Sequence, residues 1–157
     1  MPGMSKTTRS PGPRYEALLH VLRTSEALWN ASREFFSEWA LSPSQFNVLN
    51  LLGDFPEGCP QVELSRQLIM HRSNVTGLVD RLEGRGLVER KDDPGDRRTN
   101  LVRLTPNGEK LLRTILPRYF RAAETIWGDL PISRVKRIVS DLSRLRTNAA
   151  SLNAGSQ

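Results

Sequence analysis

Apolar positions recur at helical intervals along most of this chain and give way to alternation only once. From Arg14 to Ala40 the sequence places Tyr15, Leu18, Leu22, Trp29 and Phe36 at the spacing of one long helix. That helix also carries Phe35 and Trp39, more large apolar groups than one small core needs, so it is expected to pack against a second subunit. "LSPSQF" reads as a helix start: Ser42 can cap, Pro43 suits the first position, Gln45 completes a capping box, and Leu41 and Phe46 form a hydrophobic staple. This second helix runs through Val48, Leu49 and Leu52 to Gly53, and "DFPEGCP" is expected to be a loop. A short third helix spans "QVELSRQLIM", with Leu64 and Leu68 facing inward.

A fourth helix is expected to begin near Arg72. Val75, Leu78, Val79 and Leu82 give it one buried stripe, and Gly86 stands where a C-terminal cap belongs. Two short strands follow, "LVERK" and "TNLVRL", joined by "DDPGDRR", whose Asp-Pro-Gly-Asp is a turn signal. Thr105 and Pro106 open a fifth helix, which Pro117 should kink or break because it lacks a backbone donor. "LPISRVKRIVSDLSRL" reads as a last helix, with Val135, Ile138, Leu142 and Leu145 on one side.

Two short helices and then a ribbon describe a winged helix-turn-helix, in which the second helix enters the major groove with its N-terminal residues first. Opposite the apolar stripe of the fourth helix lie Ser73, Thr76, Gly77, Asp80 and Gly84, with Asn74 and Arg81 at the edges. Arg72, Ser73, Asn74, Thr76 and Gly77 form the candidate major-groove set, with Arg72 and Arg81 suited to phosphates. Glycine inside a helix costs about 1 kcal/mol against alanine, so Gly77 reflects either close approach of DNA or simple tolerance. Asp80 can accept from a cytosine amine or orient a neighbouring arginine. On the wing, Arg97 and Arg98 would reach a narrow minor groove, and Asp96 would hold the Arg98 guanidinium.

Charge agrees with this reading. The 157 residues carry a net charge of +6, which favours an anionic partner. The excess lies in residues 106–157, with nine Lys/Arg against four Asp/Glu, whereas residues 72–105 hold eight against six. Contact with DNA at the fourth helix and wing must therefore come from the placement of a few arginines. The one cysteine, Cys59, excludes an internal disulfide and fits a reducing, cytoplasmic setting; it reads as structural or incidental. His20 and His71 have no partners at ligand spacing, so neither metal nor cofactor is expected. No phosphate loop, nucleophile elbow or membrane span is found, and no enzymatic role is expected.

The stretch "RSNVTGLVDRLEGRGLVERKDDPGDRR", with Asp96, Arg98, Leu104 and Thr105 in a D-x-R-x5-L-T wing motif, resembles the MarR family of bacterial transcription regulators. The likeness runs from about Leu41 to Leu112 and more loosely beyond. It implies a homodimer with interlocking N- and C-terminal helices, a pseudo-palindromic double-stranded DNA operator, and often a small-molecule effector that lowers DNA affinity. Repression is the commoner outcome in the family. Ile69 and His71 depart from the small residue and the serine usual before the recognition helix, and Pro117 interrupts a helix generally kept long.

The expected fold is thus mainly α with a small β-hairpin wing: a winged helix-turn-helix plus N- and C-terminal dimerisation helices. Its divisions are a flexible arm at 1–13, a dimerisation helix at 14–41, a DNA-binding domain at 42–105, C-terminal dimerisation helices at 106–150 and a flexible tail at 151–157. Two other functions remain open: a winged-helix module that binds protein, and a DNA-binding regulator that needs no ligand.

Overall fold

The computed structural model describes residues 12–68 and 74–154, with backbone alone at 97–99 and 153–154. In chain order the elements are α1 (Gly12–Ser37), α2 (Pro43–Leu52), β1 (Cys59–Pro60), α3 (Gln61–Gln67), α4 (Val75–Gly84), β2 (Val88–Asp93), β3 (Asp96–Leu104), α5 (Pro106–Trp127) and α6 (Ile132–Ala154). They form two compact units, one ending at Leu112 and the other beginning at Arg113.

In the first unit, helix ends are set by local chemistry. Ser42 Oγ accepts from the Gln45 N–H at 3.1 Å, and Gln45 Oε1 accepts from the Ser42 N–H at 2.8 Å, so the capping box is complete with Pro43 behind it. Helix α4 closes on the reversal expected at Gly86, where φ is +68°. There Leu87 N–H donates to Leu82 O at 3.0 Å and Gly86 N–H to Glu83 O at 2.8 Å, a Schellman pair. Helix α1 ends in the same way without a glycine. Leu41 N–H donates to Phe36 O and Ala40 N–H to Ser37 O, with Ala40 at φ +51°. An alanine there costs roughly 1–2 kcal/mol, and the apolar spacing carries the expected helix straight through it. Two bonds from Arg85 secure the reversal: Nη1 donates to Ala40 O at 2.7 Å and Nη2 to Trp39 O at 2.9 Å.

The core of this unit is the set the periodicity marks. Val75, Leu78, Val79 and Leu82 of α4 are all buried, as are Leu49 and Leu52 of α2 and Leu64 at the centre of α3. Phe36 stacks on Phe46 with ring centroids 4.2 Å apart, which anchors the end of α1 on α2.

The wing has three strands in the antiparallel order β1-β3-β2, not the two that the alternation marks. Cys59 pairs with Val102 and Pro60 with Leu101. A two-residue strand is too short to show a period, and proline at a sheet edge has no ladder donor to lose. So the segment "DFPEGCP" is a loop only as far as Gly58. Val88 faces Leu104 at the base of the hairpin, and Pro94 and Gly95 turn its tip. Between the pairs Asp92–Asn100 and Asp93–Asp96, β2 advances by one residue and β3 by four.

Thr105 joins wing to helix. Its Oγ1 accepts from the Gly108 N–H at 3.1 Å, capping α5, and donates to Gly86 O at 2.6 Å. Gly108 is buried against the turn after α4, where a Cβ would overlap the Leu87 carbonyl.

In the second unit, Pro117 lies inside α5, which continues to Trp127. The expected break is absent. Proline removes one N–H···O bond, and the amphipathic turns on either side continue the helix past it. Helix α6 runs to Ala154, beyond the expected end at residue 150. Its Val135 and Ile138 are half-buried, while Val139, Leu142, Leu145 and Leu152 are exposed.

Candidate nucleic-acid interface

Helix α4 presents Asn74, Thr76, Asp80 and Arg81 on its exposed side. Its described part begins at Val75, and the start expected near Arg72 lies outside the described residues. Arg72 and Ser73 lie outside the described residues, as do Ile69 and His71.

Asn74 occupies the N-cap position but makes no side-chain capping bond. Its carboxamide lies over Gly77, where a Cβ would overlap Asn74 Oδ1. This gives Gly77 a reason beyond tolerance or close DNA approach: it makes room for the Asn74 side chain. Gly77→Ala should therefore separate stability from binding. Stability in a urea melt should hold or rise by up to about 1 kcal/mol, because alanine is the better helix former and the colliding atom is the end of a mobile side chain. Duplex affinity by anisotropy should fall about tenfold, the scale of one displaced base contact. Lower stability with unchanged binding would show that Asn74 does not read DNA.

Thr76 Oγ1 accepts from Gln61 Nε2 at 2.8 Å, so the first residue of α3 holds the second residue of α4. Behind them lies Arg90, on β2. Its Nη2 donates to Asp80 Oδ1 at 2.6 Å and to Gln61 Oε1 at 3.5 Å, and its Nη1 donates to Glu83 Oε2. Its backbone N–H donates to Glu83 Oε1 at 3.2 Å. Burial pulls the Arg90 guanidinium down, but Asp80 and Glu83 outweigh it and hold the group above its usual value. Of the two roles open to Asp80, orienting a neighbouring arginine is the one the geometry displays, and Arg90 is that arginine. One cation thus fixes α3, α4 and the wing together. Arg81 is exposed, with no ion-pair partner among the described residues.

On the wing, the Asp93 side chain accepts from the Gly95 N–H at 2.8 Å and stiffens the tip. Arg97 and Arg98 fall within the irregular part of β3, where three residues lack a partner in the register. Bulges of this kind re-aim side chains. The side chains of Arg97 and Arg98, and with them the expected Asp96–Arg98 pairing, lie outside the described residues. Lower on the ribbon, Arg103 Nε donates to Glu89 Oε1 at 2.5 Å across the strands.

Cys59 is buried. Burial pushes its thiol up, the Glu63 charge adds to this, and the Leu64 backbone N–H pulls partly back. Such a thiol is a poor nucleophile at neutral pH. Among the described residues, no group of three or more His, Cys, Asp or Glu could hold a metal, and no helix is long and apolar enough to cross a membrane.

Sequence reasoning missed Gln61, Arg85, Arg90 and Gly108. The first three act between different elements across 7 to 46 positions, where no local pattern operates. Gly108 left a trace, a glycine in the first turn of a helix, which marks a close approach.

A helix-turn-helix closed by a three-stranded wing is the winged helix-turn-helix class. A MarR family model matches residues 41–99. The chain is 30% identical to the transcriptional repressor NicR of Pseudomonas putida over 133 residues, 82% of each protein. It is 36% identical to the HTH-type transcriptional regulator YsmB of Bacillus subtilis over 89 residues, a match spanning 55% of this chain and 58% of YsmB. The crystal structure of CouR from Rhodococcus jostii, bound to p-coumaroyl-CoA, superposes with a TM-score of 0.77 at 26% identity, covering 87% of this chain and 95% of CouR. The chain belongs to the MarR family of transcriptional regulators.

Proposed function

We propose that this regulator is a homodimeric repressor that acts in the cytoplasm on a pseudo-palindromic operator and is released by a small-molecule effector. The α4 helices occupy successive major grooves about 10 base pairs apart, or a multiple of that. Asn74, Thr76 and Gly77 meet base edges together with Arg72 and Ser73, Arg81 meets phosphate, and the wing residues Asp96, Arg97 and Arg98 serve the flanking minor groove.

The observation that carries this reading is the split character of α4. Its apolar stripe is buried, and its opposite side is polar, exposed and held in place by Gln61 and Arg90. Dimerisation is supported by exposed apolar groups on the terminal helices. Tyr15, Leu18 and Leu22 recur on α1, and Ile132, Val139, Leu142 and Leu145 on α6, all 40% to 64% exposed. Apolar rows of that kind mark an interaction surface. The effector is supported by the ligand in the CouR structure.

A salt titration tests the reading. Affinity for a duplex selected from a random library should fall about 1,000-fold between about 50 and 200 mM salt, as for a protein that neutralises several phosphates. Failure to bind any duplex in a salt-sensitive way would overturn it and favour a protein partner.

A further inference from the structure

We infer that Gln61 is a positioning residue that fixes Thr76 as a hydrogen-bond donor, so that Thr76 selects an acceptor on a base edge. This rests on the reading of α4 as the major-groove helix.

The argument is one of polarity. A threonine hydroxyl can donate or accept, and a freely rotating one discriminates poorly between base edges. A glutamine amide is equally ambiguous, since its oxygen and nitrogen can exchange places. Arginine is not ambiguous: it has donors only. Arg90 is held in place by the Asp80 and Glu83 carboxylates, and its Nη2 stands 3.5 Å from the Gln61 side chain. The Gln61 atom facing Arg90 must therefore be the oxygen. That turns the amide nitrogen toward Thr76, 2.8 Å away, and Thr76 Oγ1 must accept. Among the described residues Gln61 is the one partner of this hydroxyl. Among the described residues no acceptor takes its own proton, and Thr76 lies on the exposed side of α4.

A chain of fixed polarity thus runs from two carboxylates through a guanidinium and an amide to a hydroxyl. In the major groove the matching acceptors are N7 and O6 of guanine, N7 of adenine and O4 of thymine, whereas the amino groups of cytosine and adenine are donors. Thr76 therefore favours a base pair that turns an acceptor toward it and disfavours one that turns an amino group toward it. Neither Gln61 nor Arg90 needs to touch the DNA.

The test is selection from a randomised duplex library by the full-length chain, followed by anisotropy titrations on single-base variants of the selected site. Gln61→Glu inverts the polarity: a carboxylate still satisfies Arg90 but offers Thr76 only an acceptor, so the hydroxyl proton turns inward and a lone pair faces out. The expected result is a change in preference of about tenfold at one base pair of each half-site, from an acceptor edge toward a donor edge, the scale of one directional base contact. Thr76→Val should remove discrimination at that same pair, and Thr76→Ser should retain it. Preference is read as a ratio between duplexes, so the general repulsion between DNA and the added carboxylate cancels. Gln61→Leu provides a neutral check and should relax the preference without inverting it. Wild-type preference at every position in Gln61→Glu overturns the inference, whatever the overall affinity, and a loss of affinity in Thr76→Val that is equal for all duplexes would mark Thr76 as a phosphate contact. If the wild type binds no duplex at all, the reading of α4 falls as well, so the two failures are told apart by the wild type alone.

Discussion

Gly108→Ala is expected to destabilise the protein by about 3 kcal/mol or more, the upper end of the range for a group forced into a filled site. The usual sign is the reverse, since alanine within a helix is favoured over glycine by about 1 kcal/mol. The reversal follows from what the methyl would meet, a backbone carbonyl that cannot rotate away. Leu87 O already accepts from the Thr105 N–H at 3.1 Å, and Leu87 lies directly after the reversal that ends α4. Moving it strains the α4 cap, the base of the wing and the start of α5 together. Gly84→Ala is the control, because a Cβ there meets nothing within 4 Å. It should gain up to about 1 kcal/mol. Urea melts at one fixed protein concentration compare the two, since the stability of a dimer depends on concentration. Equal shifts for both variants would show that the contact between α5 and Leu87 does not constrain the fold.

The largest functional effect is expected from Arg98→Ala. A good base contact is worth about 1–3 kcal/mol. A dimer would lose two of them, so affinity for the operator should fall by at least about 30-fold. The fold should be unaffected. Arg98 sits in the part of β3 that has no partner in the register, and the ladder resumes at Asn100. Thermal melting should match the wild type within a few degrees, the span of about 1 kcal/mol in a domain of this size. Wild-type affinity in an anisotropy titration would remove the wing from the DNA interface. A large drop in melting temperature would instead give Arg98 a structural task.

The helices and their inward faces were legible because burial repeats at the helical period. Val75, Leu78, Val79 and Leu82 needed nothing beyond spacing, and Ser42 with Gln45 announced a cap whose atoms all lie within four residues. Legibility ended where an interaction joined distant parts of the chain. Nothing around Arg90 indicates that it faces two carboxylates of α4, and nothing around Arg85 indicates the carbonyls of Trp39 and Ala40. Helix α1 could be read as long, but not as ending at Ser37, because its reversal uses an alanine that no turn rule selects. Strand β1 escaped because two residues cannot show alternation. The family motif was legible as letters, yet its members divide their labour. Leu104 and Thr105 build the base of the wing and the start of α5, while Asp96 and Arg98 stand at the far end.

The Arg85 fork couples two segments that are 45 residues apart in sequence. Its two bonds grip successive carbonyls in a rigid planar geometry, so the terminus of α1 and the terminus of α4 behave as parts of one hinge plate. A tilt at the end of α1 away from α4 would break these two exposed bonds, at a cost of about 1 kcal/mol each.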